Sequence, residues 1–206
     1  MSTSSPFRVR SLDSFIPLPY IASMLIALDW YHDQVPELLT ELFDPSNVNV
    51  RPPQPKSVLI NDGKNTKYDI RPGKKYRFRI INMSALANAA VFFDAHNLKV
   101  VEIDGINTVP TDAEQIYITP GQRYSVIVEG KKDVEENHAI NVVLDLNPEV
   151  LTPIDQIGFQ LNATATLQYD TRKAPARQTT VDKFNVLDDF ALKVSLQDAV
   201  LLRGWS

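Results

Sequence analysis

From Ser57 onward, apolar and polar residues alternate with a period of two. In Lys75 to Ile81 the residues Tyr76, Phe78 and Ile80 share one face, and Lys75, Arg77 and Arg79 share the other. Successive side chains of a strand point to opposite faces, so this pattern predicts a half-buried strand. The same alternation marks Arg123 to Val128, the run Ile140, Val142, Leu144, Leu146, and the run Leu161 to Tyr169. Shorter strands are predicted at Ser57–Ile60, Lys67–Ile70, Val91–Phe93, Leu98–Ile103 and Gln115–Thr119. Turn signals separate most of them: Asn61-Asp62-Gly63, Pro72-Gly73, Asp94 to Asn97, Asp104-Gly105 and Pro120-Gly121. Eight to ten short strands with regular turn signals predict an antiparallel β-sandwich or a closed barrel. Parallel strands covered on both faces would be more continuously apolar.

The first quarter of the chain is different. Ser23 to Tyr31 is largely apolar and reads as a buried strand or a short helix, which periodicity alone does not separate. Pro36 to Phe43 carries proline at its first position and apolar residues at three-to-four spacing, which predicts two turns of helix. Asp44-Pro45 ends it, and Pro45, Pro52, Pro53 and Pro55 make the following stretch a linker of polyproline character. Before these elements, Arg8 and Arg10 precede an apolar stretch in the outline of a signal peptide, but Asp13, Pro17 and Pro19 interrupt it. The segment reads as a loop feeding the first strand. The organisation expected is an N-terminal extension over 1–24, one β-domain over 25–170 and a linker-like C-terminal segment over 171–206.

Composition narrows the chemistry. The chain has 206 residues, 44% apolar and 22% charged, within the range of globular domains. A net charge of −4 argues against a nucleic-acid footprint, and no window approaches the length of a membrane span. The absence of cysteine excludes disulfides, thiolate zinc sites, iron–sulfur clusters, cysteine nucleophiles and a blue-copper site. The three histidines, His32, His96 and His138, stand far apart in sequence with no His-x-His or HExxH spacing, so each is expected to be an exposed or structurally hydrogen-bonded imidazole. No nucleophile elbow and no phosphate-binding glycine motif occur. The adjacent Asp188-Asp189 and the turn residue Asp94 are the carboxylates that could serve a divalent ion, against an ordinary reading as solvated turn acids. Two glycosylation triplets begin at Asn82 and Asn162. Asn162 sits on the polar face of its strand and is the better acceptor, whereas Asn82 closes an apolar strand.

The segments LDWYHDQ, SVLINDGKN, RPGKKYRFRIIN, HNLKVVEIDGI, IYITPGQRYSVIVEG, FQLNATAT and FNVLDDF occur in that order. Together they resemble the central, second cupredoxin domain of fungal multicopper oxidases, above all the iron-transport ferroxidases, from Leu25 to Leu192. The resemblance implies an all-β, cupredoxin-like Greek-key β-sandwich with one or two short helices. It implies that copper is held in the full-length family by histidine pairs and a cysteine of the first and third domains, none of which has a counterpart here. His32 matches a position that is not a copper ligand. It implies neighbouring cupredoxin domains as partners, a secreted or cell-surface setting, and a chain that is a fragment, catalytically incomplete alone. Asp94 falls where the ferroxidases carry a glutamate for ferrous iron, and Asp188 and Asp189 match another acidic segment of that site. The readings in competition are a free-standing, non-enzymatic β-sandwich that binds a partner or iron, and a hydrolase with a spatial triad.

Overall fold

The computed structural model describes residues 21–61, 63, 66–132, 134, 136–145, 161–174, 176, 187 and 191–195. Among these, eleven strands and one helix follow in order: β1 (Ile21–Trp30), α1 (Val35–Leu42), β2 (Ser57–Ile60), β3 (Lys67–Asp69), β4 (Lys75–Asn82), β5 (Asn88–Phe93), β6 (Leu98–Ile103), β7 (Ile106–Ala113), β8 (Gln115–Ile118), β9 (Arg123–Glu129), β10 (His138–Asp145) and β11 (Asn162–Gln168). They form a six-stranded sheet, β2-β1-β4-β9-β6-β7, packed on a five-stranded sheet, β3-β11-β10-β5-β8. Of the sandwich and the closed barrel that the alternation allowed, the two-sheet sandwich is the fold observed.

The core lies between the sheets and is built from the inward half of each strand. Leu25 and Ala27 of β1, Phe78 and Ile80 of β4, Val91 of β5, Val126 of β9, Ile140 of β10 and Leu167 of β11 are at most 1% exposed. Phe78 sits edge-on between Tyr68 and Phe93, with ring centroids 5.2 and 4.9 Å away, a geometry that aligns ring edges with ring faces.

Three features depart from the sequence-based expectation. First, the sandwich is not wholly antiparallel: β1 runs parallel to β4, and β3 parallel to β11. The segment that read as strand or helix, Ser23 to Tyr31, falls almost entirely in a strand, Ile21–Trp30. Second, β7 is an additional strand. Pro110 breaks its pattern, and it occupies the sheet edge, where a missing N–H costs no ladder bond. Residues of the C-terminal segment reach this edge: Val109 N–H donates to the Lys193 carbonyl and Ser195 N–H to that of Asn107, both near 2.9 Å. Third, Arg77, expected on a solvated face, is only 4% exposed, paired with Glu102 and hydrogen-bonded to Ser125. A bulge at Val100–Glu102 shifts the β6 register beside this pair.

The turns behave as their residues require. Gly73 has φ +67, as the second central residue of its predicted turn demands. Gly130, at the end of β9, meets this turn so closely that a Cβ would lie 2.3 Å from the Arg71 carbonyl oxygen. Only glycine allows the two backbone bonds exchanged there, Gly73 N–H to Gly130 O and Gly130 N–H to Lys74 O, each 2.8 Å.

Candidate functional site

Polar chemistry concentrates in two places. One is the corner where the β5–β6 turn meets the start of β10 and the end of β11. Here His96, 7% exposed, places Nδ1 2.6 Å from the Asp94 carbonyl oxygen and Nε2 2.6 Å from the Tyr169 hydroxyl. The Lys131 N–H donates to that hydroxyl at 2.9 Å. A carbonyl oxygen only accepts, so Nδ1–H donates to the Asp94 carbonyl, and in the neutral imidazole that burial favours Nε2 accepts from the Tyr169 hydroxyl. Burial pushes the His96 pKa down, and the nearby His138 and Lys131 add to this against the Asp94 contacts that raise it. His138, lowered first by burial and then by Lys131, stands edge-on to His96 with ring centroids 5.1 Å apart. The histidines that stand far apart in sequence are thus two in contact and one distant in the fold, and His96 is structurally hydrogen-bonded. Position 96 lies in the turn after β5 and position 138 opens β10, and the antiparallel β5–β10 pairing brings those ends together. His32 is exposed, with Nε2 3.2 Å from Ser57 Oγ.

Asp94 is half-buried, and its carboxylate bonds along the outer face of the sheet: Oδ1 accepts from Asn141 Nδ2 at 3.1 Å, and Asn141 Oδ1 accepts from Thr164 at 3.1 Å. Asp188 and Asp189 lie outside the described residues. Among the described residues, no three His, Cys, Asp or Glu side chains converge as a metal-binding group. A type 1 copper needs a thiolate, which the sequence lacks, and both His96 nitrogens are already engaged. The donor set of this chain does not fit that copper centre.

The second place is the loop between β4 and β5, held from both ends by residues that sequence reasoning did not single out for it. Asp29, 7% exposed at the end of β1, accepts N–H bonds from Ala85 (2.8 Å), Leu86 (3.1 Å) and Ala87 (3.3 Å). Its own N–H donates to Ser84 Oγ at 3.0 Å. Tyr31 is pushed above the ordinary phenol range, by burial first and then by the Asp29 charge beside it. A single acid inside the apolar run IALDW was the available signal, because a carboxylate is buried only where donors compensate it. Asn82, 0% exposed, donates from Nδ2 to the carbonyls of Ala87 and Ile118 and accepts from Ser84 N–H at 2.9 Å. Its amide, the atom a glycan would need, is inside the fold. Asn162 is half-buried at the first position of β11.

Both places hold the sandwich together rather than open a reaction centre. A family model described as multicopper oxidase matches residues 22–172. The iron transport multicopper oxidase FET3 of Gibberella zeae is 35% identical over 188 residues, 91% of this chain and 30% of that protein. FET3 of Saccharomyces cerevisiae is 34% identical over 190 residues, 91% of this chain and 29% of that protein. The crystal structure of Fet3p, a multicopper oxidase that functions in iron import, superposes with a TM-score of 0.81 at 33% identity, covering 89% of this chain and 34% of that one. A laccase from Botrytis aclada gives a TM-score of 0.59 at 25% identity, over 79% of this chain and 31% of the laccase. The chain spans less than a third of the length of the curated relatives it matches.

Proposed function

This chain belongs to the multicopper oxidase family, and on that premise we propose that it is the central, plastocyanin-like domain of a Fet3-like ferroxidase. In this role it supports copper-dependent oxidation performed at sites held by the neighbouring cupredoxin domains, and it is inactive alone. The observation that carries the reading is a cupredoxin sandwich matched to Fet3p at a TM-score of 0.81 but without a single cysteine. Copper in such an oxidase supplies one-electron acceptance from the substrate. The part of this chain is to hold a shape, through the Asp29 and Asn82 grips on the β4–β5 loop and the His96–Tyr169 contact at the opposite corner.

The substrate follows from the relatives' names, which speak of iron transport. Asp94, Asp188 and Asp189 are then carboxylates that assist ferrous iron only in the assembled parent, where the remaining ligands and the electron acceptor are present. Hard oxygen donors suit such an ion, and a weak site releases it after oxidation. The setting is secreted or at the cell surface, with Asn162 as the glycan acceptor in preference to Asn82. Among the described residues no helix is long and apolar enough to cross a membrane.

The test replaces the matched segment of S. cerevisiae FET3 with residues 22–172 of this chain. A blue-copper band and ferrous-dependent oxygen uptake in the chimera, with neither in the isolated chain loaded with copper, support the reading. A blue band or oxygen uptake from the isolated chain overturns it.

A further inference from the structure

The strand β7 closes one side of the six-stranded sheet, and its outward main-chain groups are answered in two ways. In the second half of the strand the answer is local. Pro110 has no N–H to offer, and the Val109 carbonyl accepts from Thr111 Oγ1 at 2.9 Å. In the first half the answer comes from residues 192–195. Val109 N–H donates to the Lys193 carbonyl at 2.8 Å, Ser195 N–H donates to the Asn107 carbonyl at 2.9 Å, and Thr108 stands opposite Val194 in an antiparallel bridge. Leu192 leads into this strap and packs against the core. A bare sheet edge is a template for another strand, and proteins blunt it with charge, proline or cover. Ile106 to Val109 carries neither charge nor proline, and Ile106 and Val109 are 43% and 46% exposed. The strap is the cover of this stretch.

We propose that this edge is a self-association surface: when the strap leaves, β7 pairs antiparallel with β7 of a second copy of this chain, about a two-fold axis at Thr108. The strap displays the geometry of that pairing. The groups it offers on either side of Val194 are the Lys193 carbonyl and the Ser195 N–H. Asn107 and Val109 present the same two groups on either side of Thr108. A second β7 laid in place of the strap therefore makes one bond twice, from Val109 N–H of each copy to the Asn107 carbonyl of the other. Such an interface is isologous and closes at a dimer. Thr108 favours that occupant. It is 8% exposed, and its Oγ1 is buried without a hydrogen-bond partner among the described residues. The Val194 side chain has nothing to offer it. Across the two-fold axis the hydroxyl faces that of a second Thr108, and cross-strand threonines bond one another. The strap prevails in the intact chain because it is tethered. At about 10 μM protein, a millimolar effective concentration outweighs a second copy about a hundredfold. The inference goes beyond the functional reading and stands without it.

The absence of cysteine makes the test direct, because Thr108→Cys places a single thiol on the axis. Opposed residues of a non-hydrogen-bonded antiparallel pair have Cα atoms about 4.5 Å apart, within the reach of a disulfide. The released variant adds Ser195→Pro, which removes the N–H donor of the strap, and Leu192→Asp, which removes its anchor. In a glutathione redox buffer with about 10 μM protein, it should form at least about tenfold more disulfide-linked dimer on a non-reducing gel than Thr108→Cys with the strap intact. Thr108→Cys with Val194→Cys should instead close within one chain and stay monomeric. If Leu192→Asp abolishes the circular dichroism of the fold, Ser195→Pro alone carries the comparison, with Ser195→Ala as the control that keeps the N–H. Equal dimer yields with the strap held and released overturn the proposal. Association of the released chain in sedimentation without a link at position 108 also overturns it, in favour of another face. Failure of the Thr108→Cys/Val194→Cys pair to close overturns it as well, because the strap would then not sit on β7.

Discussion

The outward residues of β1 and β11 make an instructive pair. Each strand belongs to a different sheet of the same sandwich, and each turns alternate side chains away from the shared core. On β11 the outward row is Asn162, Thr164, Thr166 and Gln168, and on β1 it is Met24, Ile26, Leu28 and Trp30. Two members of the polar row bond within their own sheet: Thr164 bonds Asn141, which bonds Asp94, and Gln168 donates to Asp69 at 2.7 Å. Those side chains find partners without leaving the sheet. The apolar row has no such closure, since apolar surface is stabilised only by being covered. The inner faces of the two strands look alike and explain the fold. The outer faces differ, and that difference points to how the domain is used.

The largest effect that tests this contrast is a pair of truncations on β1. Leu25→Ala, on the inner face, should cost about 2–5 kcal/mol in urea unfolding through lost transfer energy and a cavity. Leu28→Ala, on the outer face, should cost well under about 1 kcal/mol in the isolated chain. Equal costs would break the comparison, because they would mean that the outer row is already covered. Next, Asp29→Ala should destabilise by about 2–4 kcal/mol, because the N–H groups of Ala85, Leu86 and Ala87 would be left without their acceptor. Hydrogen exchange should show the loosening concentrated in residues 83–87, and a uniform rise in exchange would contradict the role given to Asp29.

Asn141→Ala should cost about 1–3 kcal/mol by opening the polar ladder on the five-stranded sheet. A neutral result would mean that this face does not close on itself. The pH dependence is smaller and has a definite sign. His96 and His138 are both held below their ordinary pKa in the fold, chiefly by burial. The unfolded chain therefore binds protons at a pH where the folded chain does not, and stability falls as pH drops below about 6.5. The urea midpoint should be lower at pH 5 than at pH 7.5, and His96→Gln should shrink that difference. A midpoint that rises on acidification would contradict the neutral His96 read from its contacts with Tyr169 and Asp94. The smallest effect is expected at the glycosylation triplets in a fungal secretory host. Peptide mapping should find the glycan on Asn162, with no measurable change in stability, and a glycan on Asn82 alone would contradict the buried amide.

Much of the architecture was legible along the chain because its cause is local. Alternation of period two states which half of a strand is apolar, and the residues Tyr76, Phe78 and Ile80 are inward for that reason. Pro36 at a helix start and Gly73 in a turn act through their own φ preferences, whatever surrounds them. The missing cysteine also decided by itself that no blue-copper thiolate resides here. Tertiary structure decided what depends on partners distant in sequence. The β1–β4 pairing is parallel because the chain crosses over between them, which alternation cannot report. Pro110 hid β7 until its place at a sheet edge made the missing N–H harmless. Asp29 reads as an ordinary acid until the loop 83–87 delivers its donors, and His96 and His138 become neighbours only when β5 and β10 pair. A pattern of side chains records which surfaces avoid water, whereas the identity of each contact depends on where the backbone brings remote residues together.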